Sequence, residues 1–94
     1  MLQVRDKTGR IISMSRERYQ HICKHPELRN RLEDVQSALT NPLKISQYGL
    51  DAQVRYYYTY HKHHRSHAKY LRVVVKYLNG TGFIITAYFV ERIP

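Results

Sequence analysis

The spacing of apolar residues changes near residue 40, and this change constrains the fold more than any other feature. Before residue 40, four apolar residues follow the helical spacing i, i+4, i+7, i+11: Leu28, Leu32, Val35 and Leu39. After it, segments rich in Val, Ile and Tyr show the two-residue alternation of strands: 43–48, 53–61, 69–78 and 83–93. Helices therefore precede strands, which is typical of an α+β fold.

Two helices are predicted in the first half. Ser15 is a suitable N-cap for a helix over residues 15–25, and Pro26 should end it because the residue before a proline disfavours the helical region. A second helix is predicted over 27–39, while residues 1–14 form a short hairpin or an extended lead-in. We expect one domain over 1–94, with two N-terminal helices packed on a four-stranded antiparallel sheet.

The last two strands set the expected core and its register. We prefer a three-residue loop that places Lys76 opposite Ile84; a two-residue Asn79-Gly80 turn would place Lys76 opposite Phe83 and invert the faces. The residues predicted to be buried are Leu28, Leu32, Val35, Val73, Val75, Ile85 and Phe89, with Leu71 and Phe83 near them.

The other face of this sheet is predicted to be polar. Arg72, Lys76, Thr86 and Tyr88 fall on it together, and the preceding strand adds Arg55 and Tyr57. Rings interleaved with cations suit single-stranded RNA, whose bases stack while its phosphates meet positive charge. The residues predicted to bind nucleic acid are Tyr57, His61, Lys62, Arg65, Lys69 and Arg72.

The charge of the chain is consistent with a polyanionic partner. It has 16 Lys+Arg against 7 Asp+Glu, a formal net charge of +9, and the excess is present in both halves. A folded domain with this charge attracts nucleic acid, an acidic protein or a membrane surface, in that order of preference, because neutralised phosphates release counterions. No signal peptide or transmembrane run is evident, so we expect a cytoplasmic protein without a membrane partner.

Six histidines fall in two groups. His21 and His25 are one helical turn apart and are candidates for acid–base chemistry near neutral pH, or for capping a helix end. The second group lies in the segment 61–67, which we expect to be a mobile polar loop able to contact phosphate. No third metal ligand is suitably spaced, and the lone Cys23 makes no internal disulfide, so neither a metal nor a cofactor is expected.

Two separated pieces of the chain resemble one family. The run from Ser15 to Leu28, with His21-Ile22 and His25-Pro26-Glu27-Leu28, is similar to the opening motif of small phage and bacterial proteins in the barnase–EndoU–colicin–RelE-like nuclease superfamily. The segments 38–43, 56–57, 73–76 and 85–88 resemble the helix exit and strand motifs that follow it. Tyr19 stands where a Trp is common, and Lys24 replaces the usual Arg.

The resemblance implies a metal-independent ribonuclease that cleaves RNA by 2′-hydroxyl attack. His21 would then be the acid or base, with His25 as its substitute, and Lys76 and Arg55 would stabilise phosphate. Thr86 and Tyr88 would position the phosphate or relay a proton. Such a protein could be the toxin of a toxin–antitoxin pair, with an acidic antitoxin as partner. The alternative is a non-catalytic module that binds nucleic acid or protein through the same basic, tyrosine-rich face.

Overall fold

The computed structural model describes residues 2–94. They form the helices α1 (Arg16–Ile22) and α2 (Leu32–Thr40), joined through a 3-10 turn at Pro26–Leu28. The strands are β1 (Leu2–Arg5), β2 (Ile11–Met14), β3 (Lys44–Gln47), β4 (Val54–Tyr60), β5 (Tyr70–Leu78) and β6 (Thr81–Val90). They make one sheet in the order β1-β2-β6-β5-β4-β3. Side chains of both helices join the core on one side, here called the helix face; the opposite side is the open face.

The α+β class with two helices is confirmed, but the predicted four-stranded antiparallel sheet is wrong, because the sheet has six strands and is mixed. Strands β3 to β6 do pair antiparallel. The N-terminal segment forms the hairpin β1–β2, and β2 joins β6 in parallel, with Ile12 opposite Gly82. The alternation of residues 1–14 does not reveal this partner, because the β2–β6 pair joins opposite ends of the chain.

Helix α1 is shorter than predicted. Its N-cap is Ser15, whose hydroxyl accepts a hydrogen bond from the Arg18 amide at 3.1 Å, as the sequence indicates. The helix ends at Ile22 instead of continuing to His25. His25 has an extended backbone (ψ 114°), the conformation favoured before a proline. His21 and His25 therefore do not share one helix face.

Helix α2 also begins later than predicted, at Leu32 instead of residue 27. The intervening residues form the 3-10 turn, and Asn30 then takes a positive φ of 59°, which interrupts any continuous helical path. The helix carries Glu33 and Asp34 in its first turn, where negative charge is favourable. Val35 and Leu39 point into the core.

The β5–β6 hairpin contains both registers that the sequence allows. Beside the two-residue turn Asn79-Gly80, Lys76 lies opposite Phe83; further along, Arg72 lies opposite Tyr88. The shift between Val74 and Val75 leaves Ile85 unpaired, so a β-bulge joins the two registers. The single preferred register, with Lys76 opposite Ile84, is therefore corrected near the turn.

This bulge also changes which residues of β6 are buried. Ile84 is in the core, Ile85 is only half-buried and Phe83 is 43% exposed, so the burial predicted for Ile85 and Phe83 is wrong. Leu32 is also only half-buried, so the burial predicted for it is wrong as well. The other predicted core residues are buried: Leu28, Val35, Leu71, Val73, Val75 and Phe89.

Gly82 lies where three strands meet. It pairs with Tyr77 on β5 and Ile12 on β2. A Cβ at Gly82 would come within 2.9 Å of Ile12 Cγ1 and Tyr77 Cε1, and within 3.0 Å of Val75 Cγ1. Only glycine allows the hairpin strand β2 to approach β6 this closely.

A buried carboxylate attaches the β1–β2 turn to the sheet. Asp6 accepts hydrogen bonds from the amides of Thr8 (2.9 Å) and Arg10 (2.8 Å), and from the hydroxyls of Tyr57 and Tyr77. Burial raises the pKa of the Asp6 carboxyl, but the hydrogen bonds, chiefly that from Tyr57, outweigh burial and hold the pKa below its usual range. The sequence marks Asp6 only as a turn residue.

Candidate nucleic-acid interface

The strands of the open face carry basic and aromatic side chains and no acidic ones. None of the described strand residues is Asp, Glu or His. Five strand residues are Arg or Lys, and the alternation of β1, β3, β4 and β5, which carry them, divides them between the two faces. Four project from the open face: Arg5, Lys44, Arg72 and Lys76. This face is therefore positively charged, because its strands carry no acidic side chain that could neutralise these cations.

Arg72 lies among three tyrosine rings at the centre of the open face. Its guanidinium donates hydrogen bonds to the hydroxyls of Tyr58 and Tyr88, each at 3.0 Å. The same group lies 4.7 Å from the ring centroid of Tyr56, 5.3 Å from that of Tyr58 and 5.4 Å from that of Tyr88. No carboxylate within residues 2–94 forms an ion pair with it.

The charge of Arg72 is maintained despite its partial burial. Burial disfavours the guanidinium cation, but the hydrogen bonds to Tyr88 and Tyr58 oppose this effect, and the pKa of Arg72 lies above its ordinary value. Two of its N–H groups are fixed by the hydroxyls, which orient the planar guanidinium. A fixed, unpaired cation of this kind suits recognition of a phosphate or a carboxylate.

Aromatic rings surround this cation. Tyr60 is 53% exposed, and its ring centroid lies 5.1 Å from that of Tyr70 on the neighbouring strand. Phe83 is exposed on β6, beside Lys76. Tyr58, in contrast, is fully buried beside Arg72 although its row faces the open side. The accessible rings are therefore at the margins of the face, and the cation is at its centre.

Lys76 and Thr86 complete the set of predicted site residues on this face. Lys76 lies 3.6 Å from Asp51, with both side chains more than a third exposed, so the ion pair is weak and open to exchange with a phosphate. Thr86 is half-buried on the row of Tyr88. Arg72, Lys76, Thr86 and Tyr88 thus share one surface.

Arg55 and Tyr57 do not join this surface, which corrects their predicted place on the polar face. They alternate with the open-face tyrosines of β4 and lie opposite Val75 and Val73, so both project from the helix face. Tyr57 is 1% exposed and bonded to Asp6, so its ring cannot stack on a base. Arg55 donates to the carbonyl of Ala52 at 2.8 Å and cannot reach a phosphate that Lys76 contacts.

The histidines expected to act as acid and base lie away from the open face. His21 is exposed on α1, whose Ile22 packs into the core on the helix face. His25 is exposed at the start of the 3-10 turn. Lys76 alternates with core-facing Val75 and projects to the other side of the sheet. The sheet itself separates α1 from Lys76, so His21 and Lys76, which were expected to act on one phosphate, do not face a common groove.

The remaining predicted site residues lie in the loop between β4 and β5. Lys62 and Arg65 are exposed there. His61 is half-buried and bonded to the Thr59 hydroxyl at 2.8 Å; burial is the chief reason that its pKa is lowered. Lys69 donates to the carbonyl of Ser66 at 3.0 Å and to that of His64, so it fastens the loop instead of projecting to solvent. The loop expected to be mobile is held by these bonds.

Sequence alternation missed the open-face row of β4, which is Tyr56, Tyr58 and Tyr60. The open-face row, which begins at Val54, is more apolar than the helix-face row of Arg55, Tyr57 and Thr59, so composition favours the wrong row for the helix face. The distinguishing signal is the hydrogen-bond partner that buried Tyr57 finds in Asp6, a contact between distant parts of the chain. In the described part of the chain no three His, Cys, Asp or Glu residues cluster as metal ligands.

Comparison with known proteins finds no matching family model, no matching curated protein and no matching solved structure. The resemblance to nucleases therefore depends on the sequence motifs alone. Within residues 2–94 no helix is long and apolar enough to cross a membrane.

Proposed function

We propose that this protein binds single-stranded RNA on the open face of its sheet. The observation that carries the proposal is Arg72, a charged guanidinium held among three tyrosine rings without a carboxylate partner in residues 2–94. Arg72 would contact a phosphate, and the accessible rings of Tyr60 and Phe83 would stack on bases. The net charge of +9 favours the encounter with RNA.

The test is the affinity of a fluorescent oligouridylate for Arg72→Gln and Arg55→Gln, measured by anisotropy in chelator. These substitutions remove the same charge from opposite faces of one sheet. Arg72→Gln should weaken binding by about 1.5–3 kcal/mol, the value of a hydrogen bond to a charged group, whereas Arg55→Gln should change it little. Equal losses would indicate general attraction to the positive charge of the domain and reject the open face.

Salt dependence gives an independent measure of the same contact. The four open-face cations give a log–log slope of about −3 against salt concentration for a single strand. Affinity that does not change with salt would exclude a phosphate-dependent complex. An oligodeoxyuridylate of equal length tests whether the 2′-hydroxyl contributes, as the assignment to RNA requires.

Metal-independent cleavage of the bound RNA is a second candidate. It is favoured by Arg72 and Tyr88, which place a fixed cation and a hydroxyl side by side, with Thr86 on the same row. The cation would stabilise charge on a phosphate oxygen, and a hydroxyl would position the phosphate or pass a proton. Gel analysis of the same mixtures in chelator tests this step. Cleavage that Tyr88→Phe abolishes would support it, and RNA that stays intact would show binding without cleavage.

A further inference from the structure

The histidine-rich loop, residues 61–69, has a folded core. The ring of His64 stacks on the ring of Phe89, with centroids 3.7 Å apart and planes 9° from parallel. Its Nδ1 lies 2.8 Å from the carbonyl oxygen of Ala68, and Ser66 donates to the same oxygen at 3.3 Å. His64 is therefore fixed in position at the base of the loop.

A cleft of about 520 Å³ separates this loop from the 3-10 turn. Its basic lining residues are Arg29, Arg31, His63, His64 and Arg65. A neighbouring cavity of about 310 Å³ shares Arg31, His63 and His64 and is also lined by Tyr60. Since Tyr60 projects from the open face, this smaller cavity lies between the open face and the cleft.

The ring nitrogens of His64 have different environments. A carbonyl can only accept a hydrogen bond, so Nδ1 carries the proton that bonds Ala68. Nε2 has no hydrogen-bond partner within residues 2–94. Every fully buried side-chain nitrogen or oxygen in that range does have a partner. Nε2 must therefore be the nitrogen that reaches solvent, although the residue is only 8% exposed. His64 lines both cavities, and Nε2 is the ring nitrogen left free for a ligand there.

The charges around His64 are mostly positive. Arg31 pairs with Asp34 at 3.0 Å and lies over the Phe89 ring, so it is partly neutralised. Arg29 donates to the carbonyl of Cys23 at 3.4 Å and keeps its charge. Arg65 has no ion pair in the described part of the chain. Glu27 is the acidic residue of the lining.

We propose that this cleft binds a phosphate group. His64 would take up a proton at Nε2 on binding and donate from the base of the cleft to the phosphate oxygens. Arg65 would donate to them from the rim, and Arg29 and His63 would line the wall. The assignment of that phosphate to RNA rests on the proposed function, because an RNA strand bound on the open face would reach the cleft past Tyr60. The cleft itself requires only an anion with several acceptor oxygens.

The test is a titration of the ¹⁵N-histidine-labelled protein with inorganic phosphate, followed by NMR. The proposal predicts a saturable shift of the His64 Nε2 signal, and Arg65→Gln should weaken phosphate binding about tenfold, the equivalent of one charge-assisted hydrogen bond. Lys7→Gln is the matched control, since Lys7 is exposed in the β1–β2 turn, at the other end of the sheet. An unsaturated or absent shift at His64, or equal weakening by Lys7→Gln, would overturn the proposal.

The source of the phosphate is tested with oligouridylates that carry a 5′-phosphate or a 5′-hydroxyl. A His64 shift with either RNA supports a bound RNA phosphate, and a shift with the 5′-phosphate alone assigns it to the strand end. If inorganic phosphate shifts His64 and neither RNA does, the assignment to RNA is rejected and a free-phosphate site remains. Failure of the proposed open-face function would be seen in a different measurement, because Arg72→Gln would then bind RNA with the same affinity as the parent.

Discussion

The guanidinium of Arg72 on β5 donates a hydrogen bond to the hydroxyl of Tyr88, the residue directly opposite it on β6. This contact depends on the bulge at Ile85. If the register beside the Asn79-Gly80 turn continued, Arg72 would lie opposite Ala87 and Tyr88 would project toward the helices. One unpaired residue therefore brings the hydroxyl and the cation to the same face.

Stacking on the open face predicts that Tyr60→Ala and Phe83→Ala each weaken binding of oligouridylate by about 1–3 kcal/mol. Both side chains are exposed, so the melting temperature should change little. Anisotropy and thermal melts measure the two effects. Leu50→Ala is the control, because it removes an exposed apolar side chain outside the strands. Affinity equal to that of the parent in both ring variants would remove stacking from the account.

The separation of α1 from the open face predicts that His21→Ala and His25→Ala bind oligouridylate like the parent. Each histidine is exposed on the helix side. Strands β5 and β6, which carry Arg72 and Tyr88, contain no histidine. The same variants should leave any chelator-resistant cleavage unchanged. Loss of cleavage in His21→Ala, with RNA affinity retained, would instead support the role that the nuclease resemblance gives to His21.

The Asp6 network predicts that Asp6→Asn lowers the free energy of unfolding at pH 7 by about 1–3 kcal/mol, the cost of disturbing buried hydrogen bonds. The folded pKa of Asp6 lies below its ordinary value of 3.8. Its contribution is therefore complete above that value and is lost as the pH falls through the lower folded pKa. Urea melts should show a difference between parent and variant that narrows from pH 7 to pH 3. A constant difference would contradict the role of the carboxylate charge.

The close contact at Gly82 predicts that Gly82→Ala is destabilised by about 1–3 kcal/mol, as expected when a methyl group is forced into a packed core. The strain would fall on Ile12, Val75 and Tyr77 and loosen the β2–β6 pair. Gly49→Ala is the matched control, because a Cβ there meets nothing within 4 Å and its backbone conformation is ordinary. Equal stability of the two variants in urea melts would contradict the packing described at Gly82.

The parts of the fold that depend on local pattern were predictable. The alternation of residues 43–93 indicated the four meander strands, and the spacing of Val35 and Leu39 indicated the core-facing side of α2. Contacts between distant segments were not predictable in this way. The β2–β6 pair and the bond from Tyr57 to Asp6 leave no periodic signal in either partner. The bulge at Ile85 changes face assignments that alternation assumes to be constant.

The candidate site was predictable to a similar extent. Alternation placed Arg72, Lys76, Thr86 and Tyr88 on one face, because strand period alone determines it once the register is known. Alternation puts Tyr57 and Tyr58 of β4 on opposite faces but does not indicate which of them faces the helices. His64 gave no signal at all, since its fixed position comes from Phe89, far along the chain.

The central claim, that RNA lies on the open face, is tested most directly by photo-crosslinking to 4-thiouridine-labelled oligouridylate. Mass spectrometry of the digested complex then identifies the attached residues. We expect crosslinks at Tyr56, Tyr60, Phe83 or Tyr88, which project from the open face, and we expect Arg72→Gln to lose them. Crosslinks confined to the helix side, at Tyr19 or around His21 and His25, would contradict it.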